Sequence, residues 1–256
     1  MKIEKFSKGK GNTYKVTFNE DLVITLYDDV IIKYNLLVNK QMDEKKFKEI
    51  TSYNDELEAY YKSIKYINRK LRSKKEMKTY LEKEYSSSIV KKTIEKLEKD
   101  GYLNENIFIT AYVNDQINLT LNGPHKIEKD LLKLGLEEDA IQKELRKVEN
   151  GQWSDRIEKL IRKRLKSNHN HSASKLKEKI YYDLGNLGYR KEKITQVLET
   201  IPIETHESVI LKEGNKIYQK LEKKYQEEQL LYYFRNKMFQ KGFSFSEIEL
   251  YLQKKN

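Results

Sequence analysis

The sequence predicts a mainly α-helical protein of tandem three-helix repeats that form an elongated curved array, with a small antiparallel β-meander at the N-terminus. Three observations lead to this prediction. Apolar residues recur at the helical spacing of three and four, and this pattern returns about every fifty residues. The first fifty residues instead carry short runs of β-branched and aromatic residues.

The repeat is marked by four anchor residues that are separated by 51, 53 and 54 positions: Tyr85, Leu136, Tyr189 and Phe243. A glycine precedes each of the last three anchors: Gly135, Gly188 and Gly242. Because glycine readily takes the left-handed conformation that closes a helix, each anchor is expected to follow a helix C-terminus. A second helix is expected to begin five residues later.

Apolar stripes flank each anchor. In the first repeat the stripe consists of Met77 and Leu81, then Val90, Ile94 and Leu97. The equivalent residues are Ile127, Leu131, Ile141 and Leu145; Ile180, Leu184, Ile194 and Leu198; and Phe234, Met238, Ile248 and Leu252. Each unit has room for one more helix before the stripe, at residues 54–70 in the first. The alternative is a single irregular all-α domain whose spacings agree by chance.

Five segments follow from this pattern. Residues 1–50 form the β-meander with short helices, and the repeats occupy 51–104, 105–153, 154–204 and a more divergent 205–256.

The N-terminal segment has three predicted strands, at residues 3–6, 14–18 and 22–26, with turns at 8–12 and at Asn19-Glu20-Asp21. Gly9-Lys10-Gly11 is interpreted as a hairpin tip, because the spacing and terminal Lys-Ser/Thr of a phosphate loop are missing. Asp28 or Asp29 is then expected to cap a short helix through Tyr34, and Asp43 another through Ile50.

Helix starts recur at equivalent places inside the repeats. The predicted signals are capping boxes at Ser73–Glu76 and Ser244–Glu247, Pro124 in a first turn, and a cap at Ser172 or Ser174. Since different residues supply these signals, the repeat is interpreted as structural rather than as a copied catalytic motif.

Motifs of catalysis are not evident. The chain has no cysteine and four histidines, of which His169 and His171 lie in a polar loop at 167–174 with no third ligand at helical spacing. No nucleophile elbow or nucleotide fingerprint occurs. The sequence therefore predicts no enzyme, with no catalytic, cofactor-binding or metal-binding residues and no cofactor.

Charge and composition indicate the kind of partner and the cellular location. Among 256 residues, 51 Lys and Arg face 40 Asp and Glu, a net charge of +11. This excess favours a negatively charged partner such as nucleic acid, or equally a solvated lysine-rich surface. An N-terminus without an apolar run, no apolar stretch of membrane length and no cysteine favour a cytoplasmic protein.

Basic residues cluster before or at the start of three repeats and are the candidate contacts with a filament or with DNA. They are Lys65, Arg69, Lys70, Arg72, Lys74 and Lys75; Arg156, Lys159, Arg162, Lys163, Arg164 and Lys166; and Lys220, Lys223 and Lys224. Nineteen tyrosines interleave with them and are expected mostly to pack half-buried on helices. Trp153 is expected to pack between repeats rather than to stack on bases.

Two stretches carry a family resemblance. The run Arg69-Lys-Leu-Arg72-Ser73-Lys-Lys-Glu76-Met77 with Asp100-Gly101-Tyr102-Leu103-Asn104 resembles the first repeat of the RecX family. Phe108 to Asn114 and Gly123-Pro124-His125-Lys126-Ile127 through Leu134-Gly135-Leu136 resemble its second repeat. The resemblance covers residues 57–200 well and the fourth repeat more loosely, and 1–50 resemble an N-terminal extension of some RecX proteins.

The resemblance implies a regulator of the bacterial RecA recombinase, and hence of DNA recombination, repair and the SOS response. A RecX protein is expected to lie in the groove of the RecA–DNA filament and to limit its growth or promote its disassembly. Strand exchange, ATP hydrolysis and coprotease activity then fall. The partner is the RecA nucleoprotein filament, with weak binding to single- or double-stranded DNA, no membrane and a monomeric chain.

Two alternatives remain open. A helical nucleic-acid-binding protein or transcription regulator would act on duplex DNA without RecA. A protein scaffold of paired-helix repeats would respond to no DNA at all.

Overall fold

The computed structural model describes residues 1–19 and 22–255, and these begin with a three-stranded sheet. Its strands are β1 (Ile3–Lys8), β2 (Thr13–Phe18) and β3 (Val23–Tyr27), antiparallel in the order β1-β2-β3. The predicted meander is confirmed. Gly9 donates its backbone N–H to the Thr13 carbonyl at 2.9 Å, so Gly9-Lys10-Gly11 is a hairpin tip. Glu20 and Asp21 of the second predicted turn lie outside the described residues.

Thirteen helices follow within the described part of the chain, and three lie wholly or mostly in each predicted repeat segment. They are α1 (Asp28–Lys33), α2 (Glu44–Ile67), α3 (Lys74–Leu81), α4 (Ser87–Lys99), α5 (Glu105–Leu119), α6 (Pro124–Lys133), α7 (Glu138–Leu145), α8 (Asn150–Lys166), α9 (Ala173–Asn186), α10 (Lys191–Thr200), α11 (Glu207–Leu221), α12 (Glu227–Gln240) and α13 (Phe245–Lys255). The mainly α class with an N-terminal sheet is as predicted.

The chain forms two compact units. The first comprises Met1–Ala111 and Leu132–Glu137, and the second comprises Tyr112–Leu131 and Glu138–Asn256. The division falls inside α5, inside α6 and at the start of α7, and the predicted repeat boundaries stay a prediction.

The sheet of the first unit packs on α1 and α2. Ile3, Val16, Phe18, Leu26 and Val30 are buried in one cluster there. Inward-facing residues of β2 alternate with exposed or half-buried ones, as expected of a sheet with one face on the core.

The helix α2 corrects one prediction. The sequence predicted one helix ending at Ile50 and another from Asn54, whereas α2 runs unbroken for 24 residues. Asp43 caps it as predicted, accepting from the Lys46 N–H at 2.7 Å. Buried Asn54 donates to the Thr25 carbonyl at 3.1 Å and accepts from the Tyr27 N–H at 3.0 Å, so its amide pairs with the β3 edge.

The predicted cap at Asp28 or Asp29 is wrong. The N-cap of α1 is Tyr27, which makes no side-chain cap bond, and the two aspartates lie in the first turn. There their negative charge interacts favourably with the positive end of the helix dipole. Asp29 instead accepts from the Tyr61 hydroxyl at 2.7 Å, which raises the pKa of Tyr61 to about 12.

The predicted apolar stripes are buried. Met77, Leu81, Val90, Ile94 and Leu97 form one core cluster in the first unit. The corresponding residues of the later repeats are also buried, except Leu198 and Leu252, which are half-buried. The 3.6-residue periodicity therefore identified the inward faces correctly.

The predicted helix ends and starts are present. Gly135, Gly188 and Gly242 take φ values of 82°, 87° and 80°, the left-handed region that closes a helix. Both bonds of a capping box are made at Ser73–Glu76 and at Ser244–Glu247. Pro124 is the first residue of α6, and Ser172 rather than Ser174 caps α9.

Each of these glycines also meets the start of a helix in the preceding repeat. Gly135 lies against Lys75 in α3, and Gly188 lies against Lys126 in α6. Gly242 lies against Ser172, whose hydroxyl donates to the Lys241 carbonyl at 2.7 Å. The same contact thus recurs three times, once in the first unit and twice in the second.

Candidate functional site

The first basic cluster divides into exposed cations and cations that stabilise the fold. Lys65, Arg69 and Lys70 are exposed and form no ion pair among the described residues. By contrast, Arg72 lies 4.0 Å from the Tyr66 ring centre and pairs with Glu76 at 3.4 Å.

The two lysines that open α3 are also engaged. Lys74 pairs with Glu98 at 2.7 Å, which raises the pKa of the lysine. Lys75 donates from Nζ to the Lys133 carbonyl at 2.9 Å, so it closes the end of α6. Within this cluster, the cations without an ion pair in the described residues are Lys65, Arg69 and Lys70.

Arg156 is half-buried and forms hydrogen bonds within the second unit. Its guanidinium donates to the Ile117 and Thr120 carbonyls, the latter at 2.7 Å, and lies 3.4 Å from the Tyr189 hydroxyl. These carbonyls lie at the end of α5, where helix dipoles favour a cation. The side chain predicted as a partner contact is thus a helix C-terminal cap.

The remaining cations of α8 divide into ion-paired and unpaired side chains. Arg162 pairs with Glu158 at 2.7 Å, and Arg164 pairs with Asp183 at 3.0 Å. Lys159, Lys163 and Lys166 are exposed and have no ion pair in the described chain. Their spacing of four and three places all three on one helical face, which we call the α8 lysine stripe.

A further free cluster lies at the end of α11. Lys220, Lys223 and Lys224 are exposed, and no carboxylate of the described residues pairs with them. Like the α8 lysine stripe, they are placed to attract anions, since binding a phosphate backbone releases its counterions.

The aromatic residues mostly pack, as predicted. Tyr66 stacks on Tyr80 at 4.2 Å between ring centres, and the Tyr60 hydroxyl donates to Asp100 at 2.6 Å. Trp153 is 7% exposed and packs edge-on against the anchor Tyr189 at 6.3 Å. The exceptions among the described tyrosines are the exposed Tyr102, Tyr182, Tyr232 and Tyr233.

The histidine pair lies in a short loop before α9, as predicted. Asn168 orders this loop, since its amide donates to the His171 carbonyl at 2.7 Å and accepts from the His171 N–H at 3.0 Å. Among residues 1–19 and 22–255, no three His, Asp or Glu side chains converge as a metal site would require.

A groove of about 540 Å³ opens in the second unit beside Trp153. Glu128 on its wall accepts from Gln142 and lies 3.3 Å from the His125 ring nitrogen. No local sequence pattern predicted this groove, because its walls come from α6, α7, α8 and α10.

The fold and these surfaces define a class. It is a protein of three-helix repeats whose free lysines and arginines are displayed on exposed helices and helix ends, and such proteins act through distributed binding surfaces. No helix in the described residues combines the length and apolar character needed to cross a bilayer.

Comparison with known proteins identifies the family. Residues 59–97 match the family model described as RecX, first three-helix domain. Regulatory protein RecX of Bacillus cytotoxicus is 33% identical over 258 residues, which cover 97% of this chain and 90% of that protein. A Regulatory protein RecX of Bacillus cereus is 32% identical with the same coverage. The chain belongs to the RecX family of regulatory proteins.

Solved structures show the same fold. A crystal structure of regulatory protein RecX superimposes with a TM-score of 0.66 at 20% identity, covering 77% of this chain and 98% of that one. The crystal structure of RecX from Lactobacillus salivarius gives a TM-score of 0.54 at 20% identity, covering 58% of this chain and 97% of that one.

Proposed function

We propose that this protein modulates the RecA recombinase, as an inhibitor that binds in the groove of the RecA–DNA filament. Binding there limits filament growth or promotes disassembly, so strand exchange, ATP hydrolysis and coprotease activity fall. Membership in the RecX family supports this proposal. The observation that carries its mechanism is the α8 lysine stripe, three unpaired cations on one helical face.

The physical basis is charge spread over many contacts. A filament built on DNA is rich in negative charge, and each phosphate that a lysine neutralises releases a counterion. Repeat proteins suit such a partner because they distribute many weak contacts over consecutive units. The affinity should therefore fall steeply as salt rises.

Contacts within the fold support a smaller proposed contact set than the one predicted from the sequence. Six of the fifteen predicted cations already have partners within the fold: Arg72, Lys74, Lys75, Arg156, Arg162 and Arg164. The other nine are exposed and unpaired in the described chain, and these are the proposed contacts: Lys65, Arg69, Lys70, Lys159, Lys163, Lys166, Lys220, Lys223 and Lys224.

The test is the ATPase activity of RecA on single-stranded DNA, measured with and without the protein. Wild type should lower the rate. Replacing Lys159, Lys163 and Lys166 with glutamate reverses the charge of the α8 lysine stripe. This triple variant should relieve the inhibition, because the stripe then repels the filament.

A charge-matched control separates the stripe from net charge. Lys129, Lys143 and Lys191 are exposed, have no ion pair in the described residues and lie on other helices, so their triple reversal should leave inhibition intact. Equal relief by both triple variants contradicts a role for the stripe. A protein that leaves the RecA ATPase unchanged but binds duplex DNA alone with sequence preference is instead a transcription regulator.

A further inference from the structure

A lysine-lined groove lies in the second unit where the loop at 167–172 and α9 meet α11 and the end of α12. Its volume is about 540 Å³. Six of its lining residues carry the argument: His171, Lys175, Lys212, Glu213, Lys216 and Lys241. None of these lysines belongs to the basic clusters that the sequence predicted, because they are brought together only by the fold.

The walls of the groove are held by specific bonds. Asn170 accepts from the Lys212 Nζ at 2.7 Å, which ties the loop to α11. Asn168 closes the loop on itself through His171, and Ser172 donates to the Lys241 carbonyl at 2.7 Å. The groove is therefore formed by ordered backbone rather than by side chains alone.

One buried carboxylate lies among these cations. Glu213 is 6% exposed and accepts from Lys241. This bond lowers the pKa of Glu213, and Lys216 and Lys212 lower it further through their charge. Lys175 pairs with Glu178 at 2.7 Å. Four lysines thus meet two carboxylates, and the groove keeps an excess of positive charge.

We propose that this groove binds the phosphate groups of a polyanion. Lysine is an established phosphate ligand that acts as a mobile point charge, so several lysines can converge on one such group. The imidazole of His171 supplies a further hydrogen-bonding group at the rim.

Two sources can supply this chemistry, a free polyphosphate or the phosphates of a DNA strand. Inorganic pyrophosphate is the probe for the site itself. Competition by single-stranded oligonucleotides with and without a 5′-phosphate then distinguishes the sources. Competition by the phosphorylated strand alone assigns the site to a DNA end, equal competition assigns it to the backbone, and no competition assigns it to a free polyphosphate.

The binding test uses isothermal titration calorimetry on the full chain, without RecA, at about 0.15 M ionic strength, where distant surface charges are largely screened. Pyrophosphate should bind to one site. The double variant Lys212→Ala/Lys216→Ala should lower its affinity about tenfold or more, since two charge-assisted contacts are lost. The matched control Lys129→Ala/Lys143→Ala removes the same charge from α6 and α7 and should leave the affinity unchanged.

Glu213→Gln provides a second test, in which the affinity for pyrophosphate should rise rather than fall. It removes the charge that holds Lys241 and should raise the affinity for pyrophosphate about threefold or more, as expected when a like charge leaves an anion site. Circular dichroism checks that each variant is folded, and Lys216→Arg should retain binding.

The proposal is overturned if pyrophosphate does not bind, or if the groove and control variants lose affinity equally. Because no step involves RecA, failure here leaves the proposed inhibition of the recombinase untouched, and failure of that inhibition leaves this site untouched.

Discussion

Two of the contacts between successive repeats use the same sequence feature with different packing. Gly135 in the first unit and Gly188 in the second both precede an anchor, with φ values of 82° and 87°. A methyl group added at Gly135 would meet only the Lys75 side chain, at 3.4 Å. One added at Gly188 would lie 2.5 Å from the backbone nitrogen of Lys126.

The hydrogen bonds differ in the same way. The contact at Gly135 is closed by a side chain, since Lys75 donates to the Lys133 carbonyl at 2.9 Å. The contact at Gly188 is backbone to backbone: Gly123 donates to the Leu187 carbonyl at 2.6 Å, and His125 donates to the Gly188 carbonyl at 3.1 Å. A lysine side chain can move aside, whereas a helix N-terminus cannot.

Gly188→Ala should be the most destabilising of the glycine substitutions. It combines a left-handed backbone that costs a side chain about 1–2 kcal/mol with a backbone clash, and we expect a loss of about 4 kcal/mol in the free energy of unfolding. Urea unfolding followed by circular dichroism and by the fluorescence of Trp153 measures this loss. A loss no larger than that of Gly135→Ala would show that the start of α6 yields to the methyl group.

Gly123→Ala tests the close approach of the two backbones at Gly123 and Gly188 without the strain of a left-handed conformation. Its φ is outside the left-handed region, but a methyl group there would lie 2.6 Å from the Gly188 carbonyl carbon. We expect a loss of about 2 kcal/mol, typical of overpacking, in the same urea experiment. Wild-type stability would contradict the backbone-to-backbone contact.

Gly135→Ala isolates the strain. The methyl group finds ordinary contact distances there, so only the left-handed conformation is unfavourable, and the expected loss is about 1 kcal/mol. Circular dichroism in urea measures it, since Trp153 lies in the other unit. A loss equal to that of Gly188→Ala would mean that strain alone accounts for both sites.

Local patterns predicted the parts of the fold that local physics controls. The stripes at Met77 and Ile180 are buried because a 3.6-residue period leaves one face inward. The glycines end helices because their conformation is set by sterics within a few bonds. Neither prediction needs a distant residue.

Predictions failed where a residue far away in the sequence determines the local structure or the contacts of a side chain. No residue between Ile50 and Asn54 breaks a helix, and the Asn54 amide is fixed by β3, 27 and 29 positions earlier. Arg156 resembled its neighbours in sequence, yet the carbonyls that bind it belong to α5.

The candidate sites show the same limit. Basic clusters could be listed from the sequence, but the ion pair of Arg164 with Asp183 joins two helices and could not be predicted from either one. The groove around Glu213 left no local signal, since Lys175 and Lys241 lie 66 positions apart in the sequence.

Gly185→Ala should have the smallest effect and the opposite sign. Gly185 lies in α9 three residues before Gly188, outside the left-handed region and with nothing within 4 Å of an added methyl group. Alanine favours the helix over glycine, so the variant should be more stable by about 0.5 kcal/mol in the same urea experiment. If it is destabilised like Gly188→Ala, this end of α9 is sensitive to any substitution, and the contrast between Gly188 and Gly135 does not report a backbone contact.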